Sequence, residues 1–232
     1  MSANKIQTIL LHGGGHTRFF HSVLKDTIGD RSILFIPYAR PSGITYKQYT
    51  DSVSKSFKDK FEISGIEEYK NPKEAVRNAE AIYVGGGNTF VLITALYKYG
   101  LLEEIKRKVK NGTPYIGVSA GANVAGKTIM TTNDMPIAYP PSFKAIGLVP
   151  FIINPHYPKF IPAKAIGETR EVRIREYLAF NKGFVVALNE GTMLQIIGNR
   201  VKVKGIGKVS IFKRNKKPII YKQGANMSFL LK

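Results

Sequence analysis

The sequence predicts an α/β fold: a largely parallel sheet with helices on both faces, a nucleophile elbow and a C-terminal antiparallel extension. Three observations carry this prediction. Short apolar runs alternate with amphipathic stretches through most of the 232 residues. A Gly-x-Ser-x-Gly run, Gly117 to Gly121, lies where a strand hands over to a helix. After Met193 the alternation gives way to short strands broken by Gly198-Asn199, Gly205 and Gly207.

Taken in order, Ile6 to His12 and Ser32 to Tyr38 read as strands, and Tyr46 to Phe61 as a helix. The helical stretch Pro72 to Ala79 leads to a buried strand, Ala81 to Val84. Thr89 to Tyr99 and Leu101 to Lys110 are helical again, the second with a solvated basic face. Pro114-Tyr115-Ile116 closes the strand before the elbow, and Ala120 to Ala125 opens a helix after it. The helix Glu168 to Phe180 precedes a strand from Phe184 to Leu188. The last short strands are expected to extend the sheet at its edge.

Composition narrows the class. The length suffices for one substantial core and no linker divides it, so a single domain over residues 1–232 is expected. The chain has no cysteine, which excludes disulfides, thiolate zinc sites and a cysteine nucleophile. Behind Met1-Ser2-Ala3-Asn4-Lys5 the apolar run Ile9-Leu10-Leu11 is too short for a signal peptide or a membrane span, so a cytoplasmic protein is expected. The net charge of +19 reflects basic residues spread along the chain, with clusters over Lys55 to Lys60, Lys106 to Lys110 and Lys202 to Lys217. No nucleic-acid-binding motif accompanies it, which favours a lysine-rich surface over a nucleic-acid partner.

In a parallel sheet, functional groups gather beyond the carboxyl ends of the strands. At the elbow, two glycines allow a sharp turn that projects the Ser119 hydroxyl, and the N–H of Ala120 opens a helix where an oxyanion can bind. Gly85-Gly86-Gly87-Asn88 follows the strand ending at Val84, and Gly86 and Gly87 are candidate oxyanion donors. His12-Gly13-Gly14-Gly15 is similar to a lipase-type oxyanion loop but lies more than a hundred residues before Ser119.

A serine nucleophile needs a base, and the chain offers His12, His16, His21 and His156. His12 and His16 have a four-residue spacing with three glycines between, which argues against a helical metal pair; no metal or cofactor is expected. His21 sits beside Phe19 and Phe20, as a core or surface histidine would. His156, in Asn154-Pro155-His156, is expected on a loop after an apolar strand, where a triad histidine belongs.

At this point the chain resembles a known family. Val84-Gly85-Gly86-Gly87-Asn88-Thr89-Phe90, Gly117-Val118-Ser119-Ala120-Gly121-Ala122-Asn123, Thr131-Thr132-Asn133-Asp134-Met135-Pro136-Ile137 and Asn154-Pro155-His156 look like peptidase E, the α-aspartyl dipeptidases. Gly167-Glu168-Thr169-Arg170-Glu171 and Asn189-Glu190-Gly191 extend the match, so it covers about residues 84 to 192. The resemblance implies a serine peptidase on a fold like that of class I glutamine amidotransferases, with Ser119 as nucleophile and His156 as base. It leaves the third triad member open between Asp134 and Glu190, either of which could orient His156. It also makes Arg170 the expected reader of the substrate's aspartyl carboxylate, through a bidentate guanidinium fork, with Asn88 a second substrate-binding residue.

The implied partner is a small acidic peptide, with no nucleic acid, no membrane and room for a homodimer. Gly13-Gly14-Gly15-His16 departs from better-known members, while wider relatives such as cyanophycinases carry glycine-rich sequence there. Two other enzyme classes compete. An α/β-hydrolase shares the order Ser119, Asp134, His156, but spacings of fifteen and twenty-two residues leave no room for the strand–helix units that fold inserts. Cyanophycinase-like hydrolysis of a β-aspartyl polymer remains an alternative, as does a non-catalytic binding protein for acidic ligands.

Overall fold

A computed structural model describes residues 6–15, 18–58, 60–158 and 168–232. The chain runs β1 (Thr8–His12), α1 (Arg18–Ile28), β2 (Ile33–Ile36), α2 (Tyr46–Ser56), β3 (Ile63–Gly65), α3 (Pro72–Asn78), β4 (Ala81–Val84), α4 (Thr89–Lys98), α5 (Leu101–Lys110) and β5 (Tyr115–Val118). It continues through α6 (Ala120–Asn123), β6 (Ile152–Tyr157), α7 (Arg170–Phe180), β7 (Val185–Asn189), β8 (Thr192–Ile197), β9 (Arg200–Gly205), β10 (Val209–Phe212) and β11 (Ile219–Tyr221). Several helix starts are written in side chains. Thr45 and Gln48 form a reciprocal capping box on α2, Asn71 caps α3 with Pro72 in its first turn, and Asn88 and Thr169 cap α4 and α7.

Seven strands form the main sheet in the order β3-β2-β4-β5-β1-β8-β9, parallel from β3 to β1 and antiparallel beyond it. Successive side chains in a strand face opposite ways, so each buried strand feeds two cores. Leu10, Phe35, Tyr83 and Ile116 meet Val23, Leu24 and Ile28 of α1 and Phe57 after α2 on one face. Ile9, Leu11, Ile36 and Val84 meet α3, α4 and α5 on the other. That arrangement is the α/β fold expected from the alternation. The described residues contain no helix long and apolar enough to cross a membrane.

The structure departs from the expectation in three places. The strands β6 and β7 are not in the main sheet. They form a second sheet, β11-β10-β7-β6, whose inner residues Val186, Leu188, Val209 and Ile211 join the large core while α7 covers its outer face with Ile174 and Leu178. Only β8 and β9 extend the main sheet, and the chain crosses between sheets in the two residues Glu190 and Gly191. An apolar strand buried on both faces looks the same in either sheet, so periodicity could not separate them. The helix from Tyr46 ends at Ser56, because Lys58 takes a left-handed φ of 50° and turns the chain into β3. The helix α1 was not anticipated, although Val23, Leu24 and Ile28 repeat at helical spacing.

Candidate active site

The carboxyl ends of β1, β4 and β5 converge on Ser119. Its backbone sits at φ 55°, ψ −112°, a conformation that a residue with a Cβ adopts only when its surroundings hold it there. Those surroundings are the flanking glycines. A Cβ on Gly121 would strike the Val84 carbonyl, and one on Gly117 would strike the Gly121 backbone and come within 2.8 Å of the Tyr115 ring. The Tyr115 hydroxyl donates to the Gly121 carbonyl at 2.7 Å and closes the turn. Ala120 opens α6, so its N–H belongs to the first turn, where no intrahelical acceptor exists.

His156 faces Ser119, with Oγ and Nε2 2.7 Å apart. Its other nitrogen, Nδ1, lies 2.8 Å from Glu190 Oε1. With the proton of the neutral ring on Nδ1 and donated to Glu190, Nε2 accepts the Ser119 hydroxyl proton. His156 was expected on a loop after its strand. It lies inside β6, at a bulge between Asn154 and Tyr157, with φ 53°. The bulge re-aims the side chain out of the pleat toward Ser119.

The loop after β1 ties these groups together. The His12 carbonyl accepts from the Ser119 N–H at 3.0 Å, the Gly13 carbonyl from His156 N–H at 2.8 Å, and the Gly14 carbonyl from Gly191 N–H at 2.8 Å. Three successive carbonyls thereby hold the elbow, the base and the turn bearing Glu190. Gly14 packs on the His156 ring so closely that a Cβ would lie 2.5 Å from Nε2 and 2.7 Å from Nδ1. Gly15 lies against Glu190, where a Cβ would sit 3.0 Å from that of Glu190. The likeness to a lipase-type oxyanion loop, weakened in the sequence by the distance to Ser119, does not describe its part here: its carbonyls and missing side chains frame the imidazole. Its signal in the sequence was a glycine triplet beyond the end of a parallel strand. His16 lies outside the described residues.

The two carboxylates left open by the sequence occupy different places. Asp134 Oδ2 accepts from Thr89 N–H at 2.7 Å and from the Thr132 hydroxyl at 3.1 Å, which secures its loop to the start of α4. Asn88 strengthens that junction, accepting from Val91 N–H at 3.1 Å and donating to the Met135 carbonyl at 2.8 Å. Only Glu190 touches His156. Arg170 Nη1 donates to the carbonyls of Pro155, at 3.1 Å, and of His156. Half-burial lowers its pKa, opposed by the neighbouring Asp134 and Glu190 carboxylates. The adjacent Glu168 pairs with Arg173 and Glu171 with Arg175, so neither holds Arg170. Gly167, part of the same motif, lies outside the described residues.

The expected oxyanion donors divide as well. The Gly86 N–H donates to the Tyr49 hydroxyl at 3.1 Å, which returns a bond to the Gly86 carbonyl at 3.0 Å. That N–H is therefore occupied, which leaves Gly87 and Ala120 of the three candidate donors. Gly87 has φ 141° and abuts the Ala39 backbone, a position only glycine fills. Tyr49 itself was not singled out from the sequence.

Ser119 and His156 border two cavities. One, of about 40 Å³, is lined by Thr89, Thr132, Asp134 and Arg170. The other, of about 520 Å³, extends past Gly86 and Gly87 to Arg40, Tyr49, Phe57 and Tyr83. Among the described residues no group of three His, Asp or Glu side chains could hold a metal ion.

Residues 9–204 match the model of Peptidase family S51. The chain is 44% identical over 212 residues to Peptidase E from Nostoc sp., covering 90% of this chain and 87% of that protein. It is 40% identical over 228 residues to a Drosophila melanogaster protein named "Probable alpha-aspartyl dipeptidase", covering 95% and 93%. A crystal structure of a peptidase from an acI-B1 Actinobacterium superposes with a TM-score of 0.73 at 22% identity, over 97% of this chain and 98% of that one.

Proposed function

The chain belongs to peptidase family S51, and from that membership we propose that it is a serine dipeptidase releasing an N-terminal aspartate from Asp-Xaa. The observation that carries this reading is the unbroken hydrogen-bonded path from Ser119 through His156 to Glu190. The names of its relatives, peptidase E and α-aspartyl dipeptidase, supply the substrate.

In the proposed reaction, Ser119 Oγ attacks the peptide carbonyl while its proton passes to His156 Nε2. The N–H groups of Gly87 and Ala120 hold the oxyanion. The C–N bond then breaks, and the leaving amine takes the proton from Nε2. Water, deprotonated by the same nitrogen, attacks the acyl-enzyme and returns the serine. Glu190 keeps the ring in the required tautomer and stabilises the imidazolium. Arg170, with Nη1 holding backbone carbonyls, has its other guanidinium donors for the aspartyl carboxylate in the small cavity, whereas Asn88, whose side chain bonds Val91 N–H and the Met135 carbonyl, acts on substrate only through the loop it secures. A cysteine-free chain suits a reducing cytoplasm, and small acidic peptides there are the proposed partners.

Replacing Ser119 tests the reading. Ser119→Ala is expected to lower Asp-Leu turnover by roughly a millionfold, as when a triad acts as a unit, and to abolish labelling by a fluorophosphonate. A folded variant within tenfold of the native rate, or a native serine inert to the label, would remove Ser119 as nucleophile and favour a binding protein.

A further inference from the structure

The two cavities beside Ser119 differ in size and in whether phenylalanine and tyrosine rings line them. A peptide lying across Ser119 must place one residue on each side of the scissile bond. The cavity of about 40 Å³ is lined by Arg170, whose guanidinium suits a short acidic side chain. The cleft of about 520 Å³ has Phe20, Tyr49, Phe57 and Tyr83 in its lining among polar groups such as Ser52, Ser56 and Arg40. Phe57 and Tyr83 are buried there, and Phe20 packs on them with centroids 5.8 and 6.2 Å away. Phe20 and Tyr49 are the half-buried rings that offer apolar surface to a large side chain, and the buried rings they pack on hold them in place beforehand.

Arg40 stands at the edge of this cleft. Its guanidinium lies 5.1 Å above the Tyr49 ring. That ring is held edge-on by Phe35 at 5.0 Å, and its hydroxyl is tied to Gly86. Stacking on a ring face leaves the in-plane N–H donors of a guanidinium available. Among the described residues no carboxylate pairs with Arg40. Its backbone is also registered to the site, because the carbonyl of the preceding Ala39 accepts from Asn88 N–H at 2.7 Å and abuts Gly87.

We propose that this cleft is the subsite for the leaving residue, that it takes a bulky apolar or aromatic side chain, and that Arg40 binds that residue's free α-carboxylate. Arg40 thereby makes the enzyme select dipeptides over longer or amidated chains. The proposal rests on the reading of Ser119 as the nucleophile of an aspartyl dipeptidase.

The test compares Asp-Phe, Asp-Phe amide, Asp-Gly and aspartyl p-nitroanilide on the native enzyme and on two variants at exposed positions. The native enzyme is expected to prefer Asp-Phe over its amide by about 10- to 100-fold, the worth of a hydrogen-bonded charge. Arg40→Ala should bring that ratio close to one, chiefly through KM. Ser52→Trp, which narrows the cleft from α2, should lower Asp-Phe against Asp-Gly by about tenfold. An acid-to-amide preference that survives Arg40→Ala overturns the role of Arg40. Equal losses on Asp-Phe and Asp-Gly in Ser52→Trp overturn the assignment of the cleft. Cleavage of the p-nitroanilide in either case leaves the dipeptidase reading intact, whereas no cleavage of any aspartyl substrate overturns both.

Discussion

The two sheets contribute to the site by different means. The main sheet presents Ser119 on an elbow whose shape follows from contacts inside that sheet: Gly117 against Gly121, Gly121 against Val84 at the end of β4, and Tyr115 bonded across the turn. The second sheet presents His156 from a bulge in β6 and Glu190 from the crossing between β7 and β8. Neither position is self-sufficient. The His156 N–H is anchored to Gly13, and the turn after Glu190 to Gly14, both in the loop after β1. Asn123, at the end of the short helix after the elbow, adds a bond to the Ile153 carbonyl of β6 at 2.6 Å. The difference teaches that Ser119 is placed by close approaches within one sheet and His156 by contacts between sheets. Damage to one should leave the other standing.

The largest effect that sharpens this comparison is expected at the crossing. Glu190→Gln should lower kcat by about ten-thousandfold, as for an imidazole held in the wrong tautomer. Asp134→Asn should act mainly on KM, since its carboxylate secures the loop against α4 rather than the histidine. Steady-state kinetics on Asp-Leu separate the two, and the opposite pattern would move the triad acid to Asp134.

Gly14→Ala examines the junction between sheets directly. A methyl group there meets the His156 ring, and the φ of 94° is already unfavourable for alanine. A displaced base should cost at least about 100-fold in kcat. Melting should shift by no more than the few kcal/mol of a strained backbone residue, about 1–3 kcal/mol. Native-like turnover in the folded variant would show that His156 holds its position without this loop.

The smallest of these effects is expected at Arg170, which serves both regions: Nη1 of its fork fixes the His156 carbonyl, and the residue lines the small cavity. Arg170→Ala should reduce kcat/KM for Asp-Leu by about 10- to 100-fold. It should also narrow the preference for Asp-Leu over Asn-Leu. Equal losses on both substrates would leave Arg170 a purely positioning residue, with the carboxylate read elsewhere.

The elbow, the alternation of strands and helices and the residues that meet at Ser119 were legible in the sequence, because each depends on short-range sterics or on the period of apolar residues. Glycines at 117 and 121 announce a close approach, and Asn88 announces a helix start. The partition into two sheets was not legible, since a doubly buried strand such as Val185 to Leu188 carries no mark of which neighbours it pairs with. The choice between Asp134 and Glu190 was closed to sequence for a related reason. Both stand beside plausible turns, and only the approach of β6 to the β7–β8 crossing brings one of them within 2.8 Å of His156. The glycines after β1 and the pair Arg40 and Tyr49 acquire their meaning the same way, from residues more than thirty positions distant in the chain. The sequence by itself determined which chemistry this chain can perform. Tertiary structure decided which groups meet, because hydrogen bonds and ring contacts act over a few ångströms and only the packed sheets bring those groups that close.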